Sequence, residues 1–146
     1  MSATFKKSLV AAIIVLIIGS LASWLWHSTA QRDGSKQRSK LYQELLELSG
    51  KLNRDLPRML DQQTRFDRAE VANYGMRFYY TLIRVDRFVH DENDFEQQVR
   101  PAMLREYCTG EALKFYREEA DFVEFRYLDQ NELNLFTLRF TPEDCE

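Results

Sequence analysis

Apolar positions along the chain fall into three kinds of run. The first, Leu9 to Trp26, holds 18 residues without a charge. The second is periodic: Leu41, Leu45, Leu48 and Leu52 recur at helical spacing, which predicts one apolar stripe on a helix of about four turns. Leu46 and Leu56 widen it. A stripe this wide suits a helix packed on a sheet, while its heptad-like spacing also suits a short seam between two copies of the chain. The third kind is strand-like. Thr64 to Ala72, the turn residues Asn73-Tyr74-Gly75, and the β-branched and aromatic run Met76 to Val89 predict a hairpin. Asp91 with Asp94 suits a helix start, Pro101 opens a second helical piece, and Gly110 interrupts before Glu111 to Ala120. Phe122 to Leu128 and Leu133 to Thr141, separated by Asp129-Gln130-Asn131-Glu132, predict a second hairpin. The sum is an α+β domain of about four antiparallel strands, in two hairpins, with helices packed on one face.

These runs divide the chain into an N-terminal membrane anchor (1–30), a polar linker (31–40) and a soluble α+β domain (41–146). As a helix, Leu9 to Trp26 would span about 27 Å, against a hydrocarbon core of about 30 Å. Lys6 and Lys7 flank one end of the run, and Trp24 and Trp26 suit the headgroup region at the other. A cleaved signal peptide is the alternative, with small-residue sites at Gly19 to Ala22 and at Ser28-Thr29-Ala30. The apolar run continues past the first of these sites, which favours a transmembrane helix acting as a signal anchor. Positive charges number three before the run and four after it (Arg32, Lys36, Arg38, Lys40), a count that leans toward a cytosolic domain. The short basic start and the cysteines favour export. The expectation is therefore a single-pass inner-membrane protein, in contact with the lipid bilayer through residues 9–26 and with its domain in the periplasm.

Charge narrows the partners. All 23 acidic residues but only 18 of the 20 basic ones follow residue 30, so nucleic acid is excluded as a general partner. Cys108 and Cys145 are the two cysteines. Joined, they tie the C-terminal tail to the helical layer, as suits an exported domain of this size; the alternative is two separate thiols in a reducing compartment. Two cysteines with only His27 and His90 offer no metal spacing, and five glycines build no phosphate loop, so no metal or cofactor is expected. Neither histidine has a nucleophile placed beside it. The best candidate cluster is Asp61, Arg65 and Asp67 with Tyr79 or Tyr80. It serves either carboxylate chemistry or a salt-bridge network that fixes the start of a strand.

Asn53, the Leu56-Pro57 step, Met59, Asp61, Thr64-Arg65-Phe66-Asp67, Tyr80-Thr81-Leu82 and the late Cys108 and Cys145 occur in that order. This pattern resembles a family of small bacterial membrane-anchored envelope proteins, over roughly residues 50 to 146. The resemblance implies an anchor or export signal and a periplasmic domain, and it implies no reaction. The expected function is a non-enzymatic, membrane-tethered accessory domain that binds another envelope protein or assembly. A small ligand-binding or enzymatic module using Asp61, Arg65 and Asp67 is the runner-up. A homodimer joined through Leu41, Leu45, Leu48 and Leu52 is the third reading.

Overall fold

In a computed structural model, which describes residues 34–146, the leucine stripe lies on a helix, α1 (residues 34–53). Leu45 is fully buried, and Leu41, Leu48 and Leu52 pack beside it on the domain's own core. The stripe is thus used within the chain's own core. The helix reaches back to residue 34, so the end of the expected linker is helical. The predicted anchor, residues 9–26, lies outside the described residues. No helix among the described residues is long and apolar enough to cross a membrane.

Lys40–Glu146 forms one compact unit built on a five-stranded sheet in the order β1-β2-β3-β4-β5. Its strands are β1 (Arg58–Met59), β2 (Thr64–Ala72), β3 (Gly75–Leu82), β4 (Val123–Leu128) and β5 (Asn134–Phe140). Both expected hairpins form, as β2-β3 and β4-β5. The sheet is nevertheless mixed. β3 and β4 pair in parallel, Phe78 opposite Phe125 and Tyr80 opposite Tyr127, where all-antiparallel pairing was expected. The reason lies in the connection: the chain leaves β3 through helices and returns along one face of the sheet, which brings β4 in with the same direction. The two-residue β1 pairs with β2 and was not anticipated.

β3 ends at Leu82, seven residues short of the expected end at Val89. Thr64 opens β2 opposite Leu82, and β4 ends at Leu128 opposite Thr81, so the chain beyond has no ladder to join. Val85 is buried under the following turn. Asp129, also fully buried, holds that segment and the β4-β5 turn by accepting backbone N–H bonds from Arg87 (3.2 Å), Asn131 (2.8 Å) and Leu133 (2.9 Å).

Helix α2 (Glu92–Thr109) starts at Asp91, whose side chain accepts from the Asn93 N–H. It runs unbroken through Pro101, where a new helical piece was expected. A mid-helix proline costs one hydrogen bond and about 3 kcal/mol. Val99 on one side, and Met103, Leu104 and Tyr107 on the other, pack on the core and offset that cost. α2 ends at Gly110, whose backbone turns extended while its N–H still reaches the Glu106 carbonyl; a Cβ there would lie 2.5 Å from that oxygen, so the close approach needs glycine. A 3-10 turn (Glu111–Leu113) and α3 (Lys114–Glu119) complete the crossover.

Alternation on the strands puts Met76, Phe78, Tyr80, Val123, Phe125, Tyr127, Phe136, Leu138 and Phe140 on the helix side. Their rings stack across the strands: Phe66 on Tyr80 at 4.9 Å, Phe78 on Phe125 at 5.5 Å, Tyr80 on Tyr127 at 5.3 Å and Tyr127 on Phe136 at 4.7 Å. The predicted disulfide is present. Cys108 on α2 joins Cys145 in the 3-10 turn after β5, and in the chain-entropy picture closing this 37-residue separation stabilises the domain by about 4 kcal/mol.

α1 is fixed to the sheet by polar contacts at the outer edge of β2. The Asn53 amide donates to the Ala69 carbonyl at 2.7 Å and accepts from the Ala69 N–H at 2.8 Å, and the Ser49 hydroxyl donates to the same carbonyl at 2.8 Å. These side chains take the place of a strand beyond the point where β1 ends. Asn53→Ala is expected to lower stability by about 1–2 kcal/mol, because it leaves the Ala69 peptide N–H without its partner. Leu46→Ala, on the solvent side of the same helix, is expected to change it by less than about 0.5 kcal/mol. Urea unfolding of the two variants would show equal midpoints if the Asn53 bonds contributed nothing.

Candidate functional site

The expected cluster does not assemble as a unit. Asp61 turns back on its own hairpin, where its carboxylate accepts from the N–H groups of Gln63 (2.7 Å) and Thr64 (2.8 Å). Those two bonds hold its carboxyl below the ordinary range. Arg65 and Asp67 do pair with each other, and the Thr81 hydroxyl donates to the second Asp67 oxygen at 2.5 Å. Glu132, from the β4-β5 turn, reaches Arg65 at 3.3 Å. Tyr80 is on the other side of the sheet, stacked between Phe66 and Tyr127, and burial raises its hydroxyl pKa above the usual range. Tyr79, the alternative partner, shares the Arg65 and Asp67 face, but its hydroxyl donates to Glu70 at 2.6 Å. Three of the named side chains therefore serve the backbone, a neighbour or the core.

That second face of the sheet carries a continuous ion-pair network. Arg77 donates to Glu70 at 2.8 Å and to Glu124 at 2.5 Å, and Arg126 donates to Glu124 at 2.9 Å. A bulge at Asp67, between the Phe66 and Arg68 registers, brings Arg65, Asp67, Arg68 and Glu70 to this one face. Its sequence signal is Arg68 itself, a charge at the parity that Phe66 assigns to the core. The Glu124 side chain is only 7% exposed. Burial pushes its carboxyl up, but the bonds from Arg77 and Arg126 more than offset that and hold it below its ordinary value.

On the helix side, the end of α1, β1, α2 and the 3-10 turn do not close completely over the sheet. They leave a cavity of about 420 Å³ floored by Phe66, Phe78, Tyr80 and Phe125 and walled by Leu52, Met103, Leu113 and Tyr116. A second hollow of about 320 Å³ adjoins it toward Leu48 and Leu56 and shares Leu52, Arg58, Phe66, Ala112 and Tyr116. Together they form one apolar groove. Arg58 and Glu106 line the groove and are solvent-exposed, and Met59 and Leu60 beside it are about half exposed. The sequence reading missed this groove. Its one available signal was the apolar pair Met59-Leu60 set between a proline and a turn.

The fold resembles that of two pilotins. The pilotin EpsS of the Vibrio vulnificus type 2 secretion system superposes with a TM-score of 0.63 at 11% identity, over 77% of this chain and 97% of that one. The type II secretion system pilotin AspS of Vibrio cholerae gives 0.60 at 11% identity, over 76% and 97%. A Pseudomonas aeruginosa protein described as secreted gives 0.65 at 11% identity, over 75% and 96%. No protein-family model and no curated protein sequence matches the chain.

Glu124→Gln is expected to cost about 3 kcal/mol, since it strips two guanidinium groups of a buried counter-charge. It also flattens the acid limb of the stability curve. The folded-state pKa of Glu124 lies below the ordinary 4.5, so its stabilisation is complete above that value and is lost as pH falls through the lowered one. Urea midpoints at about pH 7 and about pH 3 test both effects. An unchanged difference between the two pH values in the variant would remove Glu124 from the account.

Proposed function

We propose that the protein is a non-enzymatic accessory protein of the bacterial cell envelope. Residues 9–26 tether it to the inner membrane, and its periplasmic domain holds an apolar segment of another envelope protein in the groove between α1 and the crossover helices. The observation that carries this reading is the groove itself. Aromatic and leucine side chains line two adjoining hollows of about 420 and 320 Å³, and Arg58 and Glu106 are placed to fix the register of what lies in them. The likeness of the fold to pilotins of a secretion system supports an envelope role. The Cys108–Cys145 disulfide suits an oxidising compartment. The tether raises the local concentration of the groove near membrane-bound partners.

The experiment is site-specific photo-crosslinking in intact cells from Leu60, which lines the groove, using the full chain. A discrete adduct with an envelope protein is expected. It should vanish with Ala112→Trp, which fills the groove from an exposed position on the 3-10 turn while leaving the circular dichroism spectrum unchanged. An adduct that persists undiminished in Ala112→Trp, or one formed with a cytosolic protein, would sink the proposal.

A further inference from the structure

The strands carry charge opposite in sign to the chain that holds them. The chain has a formal charge of −3, yet β2 to β5 contain five arginines (Arg65, Arg68, Arg77, Arg126, Arg139) and three carboxylates (Asp67, Glu70, Glu124). Strand alternation and the Asp67 bulge place all eight on the face turned away from the helices. No lysine is among them.

The three carboxylates satisfy mainly Arg65, Arg77 and Arg126. The other two arginines are held by rings instead. The Arg68 guanidinium lies 3.6 Å over the Tyr79 ring, and the Arg139 guanidinium lies 3.6 Å over Phe122. A stacked guanidinium is fixed in plane, while its N–H fork stays directed outward at the edge. Arg68 has only a marginal 4.0 Å contact with Glu70. Arg139 has no carboxylate within ion-pair distance among the described residues. Both side chains are exposed, one on β2 and one on β5, and Arg126, partly exposed and bonded to Glu124 through Nε, lies on β4, next to β5.

We infer that this face of the sheet is a second docking surface, which binds an acidic segment of a partner protein through carboxylates seated on Arg68, Arg139 and Arg126. Charge complementarity selects an acidic ligand. Net charge, rather than fork geometry, selects protein carboxylates over a phospholipid surface, since guanidinium forks take carboxylates and phosphates alike. Three interleaved acids leave too small a net charge for a bilayer to be held by charge alone. The surface is on the opposite side of the sheet from the groove, so one domain can engage a partner on two sides.

The test uses the full chain in a neutral detergent and a fluorescein-labelled peptide of alternating glutamate and serine, read by anisotropy. Salt-sensitive binding is expected. The double variant Arg68→Gln with Arg139→Gln should weaken it about tenfold or more, with an unchanged circular dichroism spectrum. Arg68→Lys with Arg139→Lys should weaken it as well, since lysine keeps the charge but has no fork. Ala112→Trp should leave it intact. Four outcomes each overturn the inference: no peptide binding at low salt, full binding by the glutamine variant, full recovery in the lysine variant, or loss with Ala112→Trp. Capture of phosphatidylglycerol vesicles without peptide binding would assign the surface to lipid instead.

Discussion

Across the parallel ladder of β3 and β4, Phe78 stacks on Phe125 and Tyr80 on Tyr127, and those rings must be kept from water if the sheet is to hold together. That requirement explains why the chain interposes α2, the 3-10 turn and α3 between the two hairpins rather than joining them by a short loop. A parallel connection needs a crossover, and the crossover supplies the cover. α1 extends the cover toward β2, and its docking is specified by Asn53 and Ser49 binding the N–H and carbonyl of Ala69, which β1 is too short to reach. The disulfide then ties the far end of α2 to the segment after β5.

Once one face is committed to aromatic rings, the two sides of the sheet acquire different chemistry. The helix side is apolar, and its cover is incomplete where the end of α1 and β1 diverge from the crossover, so the groove is a consequence of how three separate elements meet. The other side has no covering layer among the described residues. It is closed by arginines: Arg68 and Arg139 lie flat across Tyr79 and Phe122, and Arg77 and Arg126 exchange ion pairs with acids that strand alternation brings beside them. A carboxylate as buried as Glu124 is tolerated there because two guanidinium groups meet it. Arg65 and Asp67 pair beside that network and bond also to Glu132 and Thr81, while the remaining members of the expected cluster are held by a turn, by the core and by Glu70.

Much of this was legible in the chain. The spacing of Leu41, Leu45, Leu48 and Leu52 is that of a helix face, and the alternating runs around Asn73 and Asp129 are those of hairpins, because periodicity and turn chemistry are local properties of a backbone. Asp91 as a helix cap and Gly110 as a helix end were readable for the same reason. Cys108 and Cys145 were readable as a pair because no other cysteine competes for either.

Tertiary structure alone decided what depends on partners distant in sequence. The parallel pairing of β3 with β4 depends on the direction in which a long crossover returns, and the early end of β3 depends on where β2 and β4 stop. Pro101 stays within a helix because apolar side chains on both sides of it find the same core. Tyr80 and Tyr79 are neighbours in the chain, yet they belong to opposite faces of the sheet, one to the rings and one to the acids. Local sequence carries the period of a strand and the stripe of a helix; which face meets water, and which residues meet each other, is settled only when the hydrophobic surfaces of separate elements compete for the same interior.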